Sequence, residues 1–267
     1  MSGLFNPTVA WITTRATLGR KRALLFALPA VILIAVTAAL SASRPPSRPW
    51  PSHVLGTFGF SVLLPLTALI IGSSVLGAEI DDGSVIHLLA TPVRRSSVIF
   101  TKFAVATVLT WIFAAVPELV AALISGGGNT EPVLRGTPNG PPVVVTPALV
   151  VNSTHFAIGL FVGALVGAVI YNAIFVMVSV ATTRAIAVGL LYVLIWEVLL
   201  SNFVSGARLL SVSHYSLGIA NGIAHDATLD AGLTMGVSIV MGAIVTVAAL
   251  VLAVKLLSSF TIKGEPA

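Results

Sequence analysis

Six long apolar runs dominate this sequence, and they restrict what the chain can fold into more than any other feature. A helix needs about 20 consecutive apolar residues to cross the hydrocarbon core of a bilayer. The runs cover about residues 23–42, 54–78, 97–125, 154–180, 185–203 and 232–257. Each run is long enough to cross. The sequence therefore predicts an all-α membrane protein with six transmembrane helices.

The composition also points to a lipid environment. Hydrophobic residues make up 57% of the chain and charged residues only 9%, whereas soluble domains carry roughly 25% charged residues. So few polar side chains cannot cover the surface of a water-soluble fold. No run alternates apolar and polar residues as the strands of a membrane β-barrel do. We therefore predict a single transmembrane domain spanning residues 1–267.

The first apolar run has some features of a secretory signal peptide. Basic residues 20–22 precede it, and Ala39-Leu40-Ser41 resembles a cleavage site. However, 22 residues come before the run, and the run is longer than the 7–15 residues typical of a signal peptide. We expect this segment to remain as a transmembrane helix.

Basic residues predict the orientation of the spans. Cytoplasmic loops of membrane proteins carry an excess of Lys and Arg. With the N-terminus inside, the cytoplasmic set is Arg15, Arg20, Lys21, Arg22, Arg94, Arg95, Lys102, Arg184, Lys255 and Lys263, and the outer set is Arg44, Arg48, Arg135 and Arg208. We therefore expect both termini in the cytoplasm. The richness in Ala, Val and Gly favours a bacterial chain, which we place in the cytoplasmic (inner) membrane.

Several chemistries are excluded by missing motifs. The chain has no cysteine, and none of its four lysines follows a glycine, so it has no phosphate-binding loop for ATP. There is also no H-E-x-x-H zinc motif and no G-x-S-x-G nucleophile elbow. The basic residues form no stripe interleaved with aromatics, so we expect no nucleic-acid partner. We predict no metal site and no catalytic residue in this chain.

The predicted spans offer few polar residues that could converge at bilayer depth, and the candidates are Glu118, Asn172 and Glu197. A carboxylate at bilayer depth is costly, so such groups usually face a partner or a cavity. One interpretation is that they hydrogen-bond to neighbouring helices. The other is that they line a transport pathway or take part in gating. The sequence does not choose between the two.

The loop between the second and third spans, residues 79–96, is acidic and then basic. Val85 to Ala90 predict a short amphipathic helix, with Asp82 or Ser84 as its cap and Pro92 as its end. Its apolar face fits either the headgroup plane of the membrane or a groove on a cytosolic protein. We expect Lys102, at the start of the third span, to extend back to the interface.

This loop resembles the signature of ABC-2 type permeases. The matching residues, in order, are Glu79, Gly83-Ser84, Leu88-Leu89, Pro92-Val93-Arg94-Arg95 and Lys102. Ser84 replaces the usual Thr, and Arg94 replaces the usual small residue. The resemblance implies an ABC-2 permease fold, which includes an N-terminal interfacial helix. It also implies that Val85–Ala90 is a coupling helix seated in a separate ATPase subunit.

The resemblance assigns roles to further residues. The coupling helix and its ATPase contact would comprise Glu79, Asp82, Gly83, Ser84, Val85, Ile86, His87, Leu88, Leu89, Pro92, Arg94 and Arg95. The interfacial helix would lie at about residues 8–20, with Trp11, Ile12 and Arg15 at the membrane surface. Short helices that dip into the outer leaflet would come from residues 204–224.

The function implied by the resemblance is that of a transmembrane subunit of an ATP-binding-cassette exporter. A pair of ATPase subunits would bind ATP and Mg²⁺, and this chain would bind no cofactor. A second copy of the chain, or a related permease, would complete the complex in the bilayer. We expect export of a hydrophobic or amphiphilic substrate (a drug, antibiotic, lipid or peptide), as in multidrug resistance by efflux. The alternative is a secondary transporter or channel subunit that needs no ATP, although no inverted repeat supports it.

Overall fold

The chain folds into long helices joined by shorter connections. The structure is a computed structural model and describes residues 5–43, 50–81, 95–126, 133–135, 143–145, 153–201, 205–225, 229 and 231–259. Its α-helices are α1 Pro7–Thr17, α2 Arg20–Ser43, α3 Leu64–Asp81, α4 Arg95–Thr110, α5 Val116–Ser125, α6 Ser153–Ala181, α7 Ala185–Leu191, α8 Val212–Ala224 and α9 Met235–Ser259. Wider π-helical segments lead into α3 (Ser52–Leu63), join α4 to α5 (Trp111–Ala115) and extend α7 (Tyr192–Leu200), and a 3₁₀ helix covers Ser205–Leu210.

Five helices in the described part of the chain are long and apolar enough to cross a bilayer. They are Leu24–Ser43, Ser52–Leu76, Arg95–Ser125, Thr154–Ala181 and Met235–Ser259. The fifth apolar run of the sequence forms a shorter apolar helix, Ala185–Leu200. At an α-helical rise this helix is about 24 Å long, less than the ~30 Å of a typical hydrocarbon core. The expectation of six full-length spans is therefore met by five helices and one shorter one.

Two of the π-helical segments come just before a proline. Pro65 and Pro117 each follow a π segment after one intervening residue. A proline ring collides with the carbonyl four residues earlier and donates no hydrogen bond. A wider turn moves that carbonyl away, and the N–H groups of Leu64 and Val116 donate to carbonyls five residues back. Both helices therefore continue through their prolines.

A short β-ladder lies in the connection between α5 and α6. Strands β1 (Val133–Arg135) and β2 (Val143–Val145) pair antiparallel, with Leu134 opposite Val144. The structure thus adds a small two-stranded sheet to the helices expected from the sequence.

Helix α6 lies at the centre of the fold and packs against α3, α8 and α9. Its closest approach is to α8, where glycine is required. A Cβ atom at Gly159 would lie 2.5 Å from the carbonyl oxygen of Ala220, and one at Gly163 would lie 2.6 Å from that of Ser216. Small residues allow membrane helices to approach this closely. Helix α8 is almost entirely buried as a result.

Aromatic side chains connect α6 to the π-helical extension of α7. The rings of Tyr171 and Phe175 stack at 5.9 Å, and Phe175 meets the edge of Tyr192 at 6.3 Å. Such pairs add to the stability that their burial alone provides. They hold Tyr192–Leu200 against the centre of the fold, next to the start of α8.

Candidate functional site

A buried carboxylate holds the start of α8. Glu197 is 0% exposed, and its Oε1 accepts hydrogen bonds from the Val212 backbone N–H (2.9 Å) and the Tyr192 hydroxyl (2.9 Å). Its Oε2 accepts from the hydroxyls of Ser211 (2.6 Å) and Ser213 (2.8 Å) and from the Ser213 N–H (3.3 Å). Glu197 therefore supplies the acceptors for the first N–H groups of α8, with Ser211 in the capping position.

The depth of this helix start explains why it needs a carboxylate. The first turns of α8 lie against Gly163 of α6. At a normal helical rise, Gly163 is about 15 Å from the first residue of α6. The first N–H groups of any helix have no partner within the helix. No water is available to bind them in hydrocarbon, and the helix dipole favours a negative charge there. Glu197 meets both requirements at once.

The segment before α8 is anchored by further polar contacts. The Trp196 indole N–H donates to the Leu210 carbonyl at 3.1 Å, and the Tyr215 hydroxyl donates to the Leu209 carbonyl. The Ser211 hydroxyl also lies 3.1 Å from Nδ1 of His214. The 3₁₀ helix and α8 thus fold back over the end of the apolar helix Ala185–Leu200.

Asn172, on α6, forms a hydrogen bond to the neighbouring helix α4. Its Nδ2 donates to the Thr110 hydroxyl of α4 at 2.9 Å and to the Ala168 carbonyl of α6 at 2.7 Å. Its Oδ1 has no hydrogen-bond partner among the described residues and lies 3.1 Å from where a Cβ of Gly72 would be. Asn172 is fully buried, so its described bonds tie α6 to α4.

Glu118 lies in a cleft between α2, α3 and α5. Its side chain is only 4% exposed, and its Oε1 has no hydrogen-bond partner in the described part of the chain. Both carboxylate oxygens lie 2.8 Å from where a Cβ of Gly59 would be. Glu118 and Glu197 thus lie in different surroundings, and the structure does not place the three intramembrane polar residues in one site.

The loop that carries the ABC-2 motif is described only at its ends. Asp82, Gly83, Ser84, Val85, Ile86, His87, Leu88, Leu89, Pro92 and Arg94 lie outside the described residues, and Glu79 is described only as part of α3. Arg95 begins α4, and its Nη1 donates to the carbonyls of Leu257 (3.1 Å) and Ser258 (2.7 Å). The guanidinium of Arg95 therefore holds the C-terminal end of α9, where a cation suits the helix dipole.

Lys102 differs from its expected position. Its side chain is 0% exposed, and its Nζ donates to the Val75 carbonyl of α3 at 2.7 Å. The prediction that it extends to the interface is wrong, because a carbonyl on the neighbouring helix satisfies the ammonium within the protein. Lys102 thereby ties α3 to α4 close to both ends of the motif loop.

The N-terminal helix α1 lies where an interfacial helix was expected. The Asn6 side chain caps it through the N–H groups of Thr8 (3.0 Å) and Val9 (3.4 Å), and the Asn6 N–H donates to Thr101 of α4 at 3.0 Å. The Arg15 guanidinium stacks on Trp11 at 5.3 Å. Trp11 is 63% and Ile12 52% exposed.

Sequence reasoning singled out Glu197 but missed its partners. Ser211 and Ser213 lie 14 and 16 residues further along the chain and are brought to it by the fold-back of α8, whereas Tyr192 lies five residues before it on the same helix. The available signal was the Ser211-Val212-Ser213 pattern, since serine is common just before a helix starts. Among the described residues, no three His, Cys, Asp or Glu side chains converge as they would around a metal ion.

Comparison with known proteins identifies the family. A family model described as "ABC-2 family transporter protein" matches residues 18–195, two-thirds of the chain. That range includes the motif loop and four of the five long apolar helices. No curated protein matches the chain significantly. The chain belongs to the ABC-2 family of transporter proteins and is a membrane-spanning permease of an ATP-binding-cassette transporter.

Proposed function

We propose that this chain exports a hydrophobic or amphiphilic substrate, using ATP that a separate pair of ATPase subunits hydrolyses. The drug, antibiotic, lipid or peptide would leave through a pathway formed with a second copy of the chain or a related permease. This places the chain in efflux, with multidrug resistance as its setting. We further propose a bacterial inner membrane, with both termini in the cytoplasm.

The motif loop is the observation that carries this proposal. Family members work with an ATP-binding-cassette ATPase, and this sequence has no phosphate-binding loop of its own. A 13-residue segment, 82–94, joins the end of α3 to the start of α4. Its apolar residues Val85, Ile86, Leu88 and Leu89 suit docking in a groove of a cytosolic partner.

The contacts around the loop support transmission of force into the membrane. Lys102 joins α3 and α4 next to the loop, and Arg95 joins the loop exit to the end of α9. A push on segment 82–94 would reach three membrane helices through these bonds. Packed interfaces tend to switch between discrete arrangements rather than deform gradually.

A double substitution tests the coupling role. We expect Leu88→Ala with Leu89→Ala to reduce both co-purification with the neighbouring phosphate-loop ATPase and stimulation of its ATP hydrolysis, by about tenfold or more. Truncating two apolar anchors in a docked helix removes most of the affinity of such a contact. Both quantities are measured on the complex after co-expression.

A matched control is available in the same chain. Leu209 and Leu210 form another Leu-Leu pair, 48% and 57% exposed, next to α8. The pair Leu209→Ala with Leu210→Ala should leave ATPase association unchanged. Equal losses in both double variants, or no loss in either, would contradict the proposed coupling helix.

A further inference from the structure

An apolar cleft with one carboxylate in its wall lies between α2, α3 and α5. It is narrow, and its lining includes Pro29, Leu33, Leu63, Phe113, Pro117 and Glu118. Among its lining residues that the structure describes, Glu118 is the only charged one. Near the ends of α2 and α5, the Ser41 hydroxyl donates a hydrogen bond to the Ile124 carbonyl at 3.1 Å and joins the two helices.

The carboxylate of Glu118 is held in place without being satisfied. It packs on the backbone of Gly59, and its Oε1 has no hydrogen-bond partner within the described ranges. The Glu197 carboxylate, in contrast, accepts hydrogen bonds from five donors. A carboxylate buried without a partner is unfavourable, and an ammonium that reaches it would supply the missing partner.

The position of Glu118 along its helix suits the head of an amphiphile. It lies seven residues, about 10 Å, before the end of α5 at Ser125. A polar head at that level would lie near a membrane surface, with its tail directed toward the bilayer centre. Helix α2 lines the cleft with Pro29 and Leu33, while Leu28 and Ile32 on its other sides are exposed as lipid contacts.

We propose that this cleft binds an amphiphilic ammonium, with the cationic head on the Glu118 carboxylate and the apolar tail along Leu33, Leu63 and Phe113. The ammonium comes either from a free single-chain amine or from the headgroup of an ethanolamine phospholipid. That such a ligand is also exported rests on the proposed function. Its binding to this chain does not, because the ATPase takes no part in it.

The test is photo-crosslinking of the purified full-length chain in a neutral maltoside detergent, without any ATPase. The probe is an alkyl amine that carries a diazirine in its tail, compared with the matching alkyl alcohol. We expect the amine to label α2, α3 or α5 at concentrations about tenfold lower than the alcohol. Removal of one partner from a buried charge pair commonly changes affinity at least this much.

Three substitutions at the cleft sharpen the result. Glu118→Gln keeps the size of the side chain and should remove the preference for the amine, while Glu118→Asp should retain part of it. Gly59→Ala places a methyl group against the carboxylate and should also weaken labelling by the amine. Unchanged amine labelling in Glu118→Gln, with the protein still monodisperse, would overturn the proposal.

Competition separates the two sources of the ammonium. Dodecylamine that competes better than phosphatidylethanolamine indicates a free amphiphile, and the reverse order indicates a lipid headgroup. Phosphatidylglycerol should compete weakly, because its headgroup has no cation. If it competes as well as the amines, the cleft does not recognise the charge and the proposal is wrong. A failed coupling test with Leu88 and Leu89 would leave these binding results unaffected.

Discussion

Glu197 and Glu118 are both buried glutamates on apolar helices, and they differ in what surrounds them. The Glu197 carboxylate accepts hydrogen bonds from two backbone N–H groups and three hydroxyls. The Glu118 carboxylate faces the backbone of Gly59 and an apolar cleft. The first group fixes the fold around it, whereas the second is placed to receive a ligand.

The same substitution at the two sites should separate these roles. In Glu197→Gln one end of the carboxylate becomes a donor, so either the Val212 or the Ser213 N–H loses its acceptor at bilayer depth. Losing hydrogen bonds to a charged group costs about 1.5–3 kcal/mol, which lowers a melting temperature by roughly 4–10 °C in a chain of this size. The melting temperature is measured by thermal unfolding in detergent, followed by size-exclusion chromatography. Glu118→Gln is the control and should change the melting temperature by less than about 2 °C; equal shifts would refute this assignment of roles.

The sequence identified both glutamates as unusual but could not assign their surroundings. A carboxylate within an apolar run stands out because it is costly in hydrocarbon. Four of the five donors to Glu197 lie 14 to 16 residues further along the chain, and only the fold-back of α8 brings them near. The burial of Lys102 was missed for a similar reason, since it depends on a carbonyl of the neighbouring helix α3.

At the level of elements, the contact between α6 and α8 depends on glycines spaced four residues apart. Gly159 and Gly163 lie on one face of α6, where the backbone of α8 leaves no room for a side chain. The positions of the long helices follow from the apolar runs, because the thickness of the bilayer sets the length of each run. The apolar runs do not predict the π-helical segments or the burial of α8, because these features arise from proline geometry and from packing.

A methyl group on this face should therefore weaken the fold. Gly163→Ala would place a Cβ 2.6 Å from the Ser216 carbonyl and 2.9 Å from the Ala220 Cβ. Overpacking of this kind typically costs about 1–3 kcal/mol. We expect Gly163→Ala to have a lower melting temperature, measured by thermal unfolding in detergent as for Glu197→Gln. Gly236→Ala in α9 is the matched control, because nothing lies within 4 Å of a Cβ there and alanine favours the helix. Similar losses at both positions would refute the close contact.

At the level of the whole molecule, the short helix Ala185–Leu200 decides the orientation of the C-terminal end. If it crosses the membrane together with the five longer helices, both termini lie on the same side. If it does not, they lie on opposite sides. The distribution of basic residues favours the first arrangement.

The absence of cysteine from the chain makes this arrangement simple to test. We expect Ser47→Cys to react with a membrane-impermeant maleimide in right-side-out vesicles. Ala267→Cys should react only after the membrane is permeabilised. Both variants become labelled in detergent, which controls for expression and reactivity. Labelling of Ala267→Cys from the outside would show that Ala185–Leu200 does not cross the membrane.

The start of α8 within the fold also has a consequence for how the protein is made. A segment enters the bilayer from the translocon on its own when it is apolar enough along its full length. Helix α8 has 13 residues and carries Ser213, His214 and Ser216, and its first two N–H groups donate to Glu197. We therefore expect it to take its place only after α6 and the helix bearing Glu197 have been inserted. Biosynthesis of this permease would then include a docking step, in which assembled helices admit one that is not expected to enter the membrane alone.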